Sequence, residues 1–157
     1  MTRISPSLNL IAVSLVLSLW LGLSGCGTSE QYVVWKSSTQ MIVVDRIDRT
    51  TPEATARITI VQNKPRPAGV SDTLVRRLSY ETKFRCTDRS LRYGASTFQL
   101  ESGLSASDPE SNAVWEHPSP QTAKAKAIAV VCEPTKASAL RRTQRLDALE
   151  REYRGQV

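Results

Sequence analysis

From Tyr32 onward the chain alternates apolar and polar positions with a period of two, the spacing of strands with one covered face. Tyr32-Val33-Val34-Trp35 and Met41-Ile42-Val43-Val44 are short β-rich runs, and Ser37-Ser38-Thr39-Gln40 between them suits a hairpin turn. Ala56 to Gln62 puts Ile58 and Ile60 on one face, with Arg57, Thr59 and Val61 on the other. Lys64-Pro65-Arg66-Pro67-Ala68-Gly69 then predicts an interruption, because proline has no N–H for a ladder. The clearest segment runs from Thr73 to Cys86. Leu74, Leu78, Tyr80, Phe84 and Cys86 share one face; Val75, Arg77, Ser79, Glu81, Lys83 and Arg85 take the other. Arg76 is the one charge on the apolar side and is placed near a sheet margin. This predicts an antiparallel sheet with one covered and one wet face, Cys86 on the covered side.

A turn at Thr87-Asp88-Arg89 leads into a strand from Leu91 to Leu100. Its apolar parity changes between Leu91 and Tyr93 on one side and Phe98 and Leu100 on the other, so Gly94 marks a bulge. A Gly, Ser, Asp and Pro-rich loop spans Ser102 to Ser111, and Ala113 to Glu116 reads as the last of six strands. Ser119-Pro120 reads as a helix N-cap followed by proline at the first helical position. Gln121 to Cys132 then places Ala125, Ile128, Ala129 and Cys132 along one stripe. Ile128 to Val131, being β-branched, also suits a strand, and Glu133-Pro134 stops the element. A second helix is expected from about Ser138 to Arg154, with Ala139, Leu146, Leu149 and Tyr153 in a narrow stripe that Arg142 interrupts. It can dock on the domain, pair with a copy of itself, or project. The fold class is therefore α+β: a sheet of about six antiparallel strands, a helix on its covered face, and an extra terminal helix.

The beginning of the chain has a different pattern. Arg3 is the only charge before Glu30, and an apolar run from Leu8 to Leu23 follows it. That run is shorter than the roughly 20 residues needed to span a bilayer, and one short basic region followed by an apolar one is the layout of a secretory leader. An uncleaved membrane anchor is the other reading. Leu23-Ser24-Gly25-Cys26 resembles the bacterial lipobox, a Leu and two small residues before an obligatory Cys that takes diacylglycerol. The resemblance implies that residues 1–25 are a lipoprotein signal peptide, that Cys26 becomes the acylated first residue, and that 26–31 are a lipidated tether. Gly27 after the cysteine, where Asp would stand for retention, implies the outer membrane.

The chain has 157 residues, 23% of them charged and 40% hydrophobic, which suits one globular domain with short extras. One histidine and three cysteines leave almost no material for a metal cluster or a His-based catalytic set, and no cofactor is expected. Three cysteines in an exported chain leave one over. With Cys26 acylated, Cys86 and Cys132 remain to form a disulfide in an oxidising compartment. Whatever lies over the face of Cys86 should then carry Cys132.

Val44-Asp45 followed by Ile47, the long strand ending in Cys86, Arg92-Tyr93, and Trp115 with Ser119 ahead of Cys132 together resemble the surface-adhesin protein E-like family of envelope lipoproteins, over roughly Trp35 to Cys132. The resemblance implies a six-stranded antiparallel sheet with a helix fastened to it by one disulfide, in a domain spanning 32–134. Host-protein binding is implied for only a few members. The Ser102–Ser111 loop and the basic amphipathic segment 135–157 depart from the family pattern.

His117 lies between Glu116 and Pro118 at a strand end, where Glu116 points to the opposite face; it reads as a solvent-facing turn residue, and no catalytic residue is expected. There is no Gly-x-Ser-x-Gly elbow and no glycine loop for phosphate. The formal charge is +6, from 21 bases and 15 acids. Arg57, Arg77, Lys83 and Arg85 fall on the predicted wet face, and Arg141, Arg142 and Arg145 cluster on the predicted last helix. Such a basic surface attracts anionic lipid headgroups, acidic glycans or acidic proteins of envelope or host; nucleic acid is not an expected partner in this compartment. The expectation is a non-enzymatic, lipid-anchored envelope protein that binds another macromolecule. A second copy of the chain is among the partners considered, as a homodimer; the alternative function is a structural accessory of envelope or secretion-complex assembly docking through the last helix.

Overall fold

A computed structural model of the chain describes residues 30–50, 53–68, 71–109 and 113–155, with backbone alone at Ala68 and Ser71. The expected leader, the acylation site Cys26 and the first part of the tether lie outside the described residues. Among the described residues no helix is long and apolar enough to cross a membrane.

Seven strands form one antiparallel sheet: β1 (Gln31–Lys36), β2 (Gln40–Asp48), β3 (Ala54–Ala68), β4 (Ser71–Arg85), β5 (Ser90–Leu100), β6 (Ser105–Asp108) and β7 (Arg141–Arg142). Their order across the sheet is β6-β5-β4-β3-β2-β1-β7. Helix α1 (Ala123–Cys132) lies on one face, and helix α2 (Leu146–Tyr153) on part of the other. The disulfide Cys86–Cys132 joins the end of β4 to the end of α1, with Cα atoms 5.4 Å apart. The α+β class and the clasped helix are as the alternation predicts.

The face under α1 includes the expected Ile58, Phe84 and Ile128. Tyr32, Val34, Val44, Ile58, Phe84 and Leu91 are buried there with Ile128, Val130 and Val131 of the helix. Ile128 to Val131 is helical: the helix buries these side chains against the sheet and outweighs their β propensity. The buried stripe is turned from the expected one, using Ala127, Val130 and Val131 where Ala125 and Ala129 were placed. The N-cap is Thr122, three residues later than expected, its hydroxyl accepting from Ala125 N–H at 3.2 Å. At the other end Arg49 donates through Nε to Val131 O (2.9 Å) and through Nη2 to Val130 O (3.3 Å), placing a cation on the open helix carbonyls.

Four expectations about strands are corrected. The proline segment does not end β3, which runs on to Ala68. Beyond Asn63 strand β3 has no partner on the β2 side, so Pro65 and Pro67 remove no bond from that edge, and a bulge between Val61 and Arg66 absorbs the misfit against β4. The Ser102–Ser111 loop contains β6, a polar edge strand with all four side chains exposed; Gly103, with φ +87°, supplies its turn. Ala113 to Glu116 contributes only a single bridge, Leu91 to Glu116. In β4, Val75 is buried and Leu74 exposed, the reverse of expectation, because a register shift between Val75 and Arg77 inverts the pleat. The bulge read at Gly94 is present, the pairs Tyr80–Ser96 and Thr82–Tyr93 leaving one extra residue in β5.

The segment after Pro134 differs most. In place of one helix from Ser138 it forms a turn (Ser138–Leu140), the short β7, and then α2. β7 pairs with Gln31 and Tyr32, and α2 buries Leu146 and Leu149 on Met41, Val43 and Val61, with Val33 and Tyr153 alongside. The second face is therefore not wholly wet. Its β1–β3 half is a second small core, and the apolar stripe expected to dock elsewhere is used on the chain's own sheet.

Candidate functional site

The open half of the second face lies beyond α2. The register places Asp45, Arg57 and Glu81 side by side across β2, β3 and β4, with Thr59–Ser79 one pleat further and Lys83–Arg92 on the other flank. Asp45 is fully buried, and Arg57 grips it with two bonds, Nε to Oδ1 at 2.8 Å and Nη2 to Oδ2 at 2.6 Å. This bidentate bond, more than any other influence, raises the pKa of Arg57 above its ordinary value. The next residue, Arg46, has φ +50° at a bulge where β2 passes from Asp45–Arg57 to Asp48–Thr55 pairing. That conformation costs a non-glycine residue about 1–2 kcal/mol. Arg46, Arg57, Arg77, Ser79, Glu81 and Thr97 surround an open depression of about 320 Å³.

Arg77 is held from above. Its Nη2 donates to Asp147 at 3.0 Å and to Glu150, both on α2. Arg154 joins Glu150 at 3.0 Å and donates to Arg76 O at 3.2 Å; burial, ahead of every other influence, lowers its pKa. These two arginines fasten α2 to β4 around one carboxylate.

At the other end of the open half an aromatic ring collects cations. The guanidinium of Arg85 lies 3.9 Å from the Trp115 ring centroid and that of Arg92 5.4 Å from it, while Arg85 Nε also bonds Glu53 at 3.0 Å. Lys83 and Arg92 stand directly opposite on β4 and β5, a like-charge pair that costs stability in a sheet. Among the described residues neither the Arg46 nor the Lys83 side chain has a hydrogen-bond or ion-pair partner.

The seven basic residues singled out in the sequence thus fall into two groups. Arg57, Arg77, Lys83 and Arg85 do share the second face, but Arg57 and Arg77 are committed to carboxylates of the sheet and α2, and Arg85 bonds Glu53. Arg141, Arg142 and Arg145 are not on a helix. Arg141 and Arg142 form β7 at the opposite edge of the sheet, and Arg145 precedes α2 in extended conformation. Asp45, Arg46, Arg92 and Trp115 join the site without having been read as site residues. For Asp45 a sequence signal existed: it shares strand parity with Met41 and Val43, across from Arg57.

His117 is exposed, and its Nδ1–H lies 3.3 Å from Asp88 O. Tyr93 is pushed up to about 12, first by burial, and its ring packs on Tyr80 with centroids 4.7 Å apart. Near the disulfide, Glu133 pairs with Lys136 at 2.6 Å and with Arg89; the Lys136 bond, then the Arg89 bond, holds its carboxyl below the usual range. Among the described residues no three His, Cys, Asp or Glu side chains are grouped to hold a metal ion.

No family model matches the chain, and no curated protein matches it. Among solved structures it is similar to crystal form II of Haemophilus influenzae protein E, with 13% identity and a TM-score of 0.49, over 62% of this chain and 82% of that one.

Proposed function

We propose that this chain is a lipid-anchored protein of the bacterial envelope, without catalytic activity, whose folded domain binds another macromolecule through the open half of its second sheet face. The observation that carries the reading is the Cys86–Cys132 bridge, which accounts for two of three cysteines and leaves Cys26 as the odd one, in its Leu23-Ser24-Gly25-Cys26 setting. Several acyl chains on that residue hold a protein on a bilayer durably. Support for binding comes from Arg46 and Lys83, whose side chains have no hydrogen-bond or ion-pair partner among the described residues, and from the strain held in the Arg46 backbone. Cations around an aromatic ring suit an acidic macromolecule.

A photo-crosslinking residue at Lys83 tests this in intact envelopes. A discrete adduct of higher mass is expected there and none from the same group at Leu104, which is exposed on the β5–β6 turn. No adduct from Lys83, or the same adducts from both, contradicts the binding reading.

A further inference from the structure

One stretch of the surface is positively charged, exposed and placed by the fold next to the point where the chain enters the domain. Residues 134–146 contain Lys136, Arg141, Arg142 and Arg145 and no acid, and all four side chains are exposed. Pairing of β7 with Gln31 and Tyr32 sets Arg141 and Arg142 beside the first two residues of β1. Lys136 and Arg145 follow within a few residues on either side. Three carboxylates lie close by: Glu30, 2.5 Å from Arg141, Glu133, which holds Lys136 and Arg89, and Glu152, 3.4 Å from Gln144. Five cations against three acids leave this corner at +2. Arg142 turns its guanidinium to its own backbone, Ala139 O at 3.1 Å and Arg141 O at 2.7 Å, which holds β7 in shape.

We infer that this strap, Lys136 to Arg145, is the surface that rests on anionic lipid headgroups and fixes the domain's orientation on the membrane. The inference rests on the reading of Cys26 as the acylated residue. Cys26 stands five residues before Gln31, so even a fully extended tether spans only about 17 Å. The corner of the sheet at Gln31 is therefore held close to the bilayer. An acyl anchor limits distance but leaves the domain free to turn; basic side chains near an anionic surface each add attraction that falls off within a Debye length. The tether is short enough for the strap to come within that reach, while the far edge of the sheet lies well beyond it. Six strand spacings separate β7 from β6, about 29 Å, so a domain seated on the strap presents its β6 edge away from the membrane.

Every strand, both helices, both core clusters and the disulfide lie between Glu30 and Gly155, so a chain starting at Gly27 keeps the whole described fold without the acylation site. Flotation of this 27–157 chain with vesicles of phosphatidylcholine containing a third phosphatidylglycerol, at low salt, tests the strap. Binding to these vesicles and not to pure phosphatidylcholine is expected, weakening as salt rises. Changing Lys136, Arg141, Arg142 and Arg145 together to Gln should lower the affinity at least tenfold. Changing Lys64, Arg66, Lys126 and Arg151 to Gln, the same loss of charge elsewhere, should lower it less than threefold. Thermal melts of both variants show that each is folded. Equal losses in the two variants, or equal binding to neutral vesicles, would overturn the inference. Because the tested chain lacks Cys26, neither outcome bears on acylation.

Discussion

Replacing Cys86 and Cys132 together by serine is expected to lower the stability of the domain by about 4 kcal/mol. The bridge closes a loop with a sequence separation of 46, and the entropy of that closure in the unfolded chain gives the figure. The native structure adds little to offset the loss. Helix α1 is held otherwise by four buried side chains, by Arg49 on its last carbonyls and by the exposed Arg89–Glu133 pair that spans the same two segments. Urea denaturation reads the effect as a midpoint lower by about 2 M, with a steeper transition because the unbridged unfolded chain exposes more surface. A change below about 1 kcal/mol would mean that the bridge constrains little.

Arg57→Met is expected to cost about 3 kcal/mol, far more than a residue on an outward basic face. It removes the sole ionic partner described for a carboxylate that is fully buried, and an unmatched buried charge is among the costliest single defects. The figure is at the low end of the usual range because the Arg57 side chain keeps 22% of its exposure, so water reaches the gap. Replacing both partners, Asp45→Val with Arg57→Met, should recover most of the loss, since an apolar pair of similar volume needs no solvation. Lys83→Met, on the same face, should stay within about 0.5 kcal/mol. If Arg57→Met behaves like Lys83→Met, the pair is a surface contact and Arg57 returns to the binding face.

These two expectations mark what the alternation of the chain makes readable. The period of Thr73 to Cys86 assigns a covered side that holds at Phe84 and Cys86 and fails at Leu74 and Val75, and the cysteine parity then places Cys132 opposite, as the bridge shows. Gly94 betrays its bulge because the apolar parity changes across it. What escapes is structure made by backbone bonds alone. Strand β6 is Ser-Ala-Ser-Asp on an exposed edge, with only the small Ala106 as an apolar side chain and no period to read. The prolines of β3 are allowed only because β2 has already ended, a fact about the neighbouring strand. The last segment looks like one helix because alanine, leucine and paired charges dominate it. Arg141 and Arg142 leave the helix since β1 offers an open edge at Gln31 and Tyr32, and α2 then reaches the apolar patch of Met41, Val43 and Val61.

The same reason explains the candidate site. Strand parity correctly gathers Arg57, Arg77, Lys83 and Arg85 on one face, yet parity is blind to what a charge pairs with. Three of the four are occupied, Arg57 by Asp45, Arg77 by Asp147 and Glu150, and Arg85 by Glu53, partners that parity does not mark. Trp115 enters from a segment that barely pairs with the sheet, and its role depends on the hairpin that aligns Arg85 and Arg92.

Mass mapping of the protein extracted from membranes, digested without reduction, tests the central claim most directly. The account predicts an amino-terminal peptide that begins at Cys26 and carries fatty-acyl mass, together with a Cys86 peptide joined to a Cys132 peptide. A chain that keeps Met1 with an unmodified Cys26, or a Cys26 bridged to either of the other two cysteines, would contradict it.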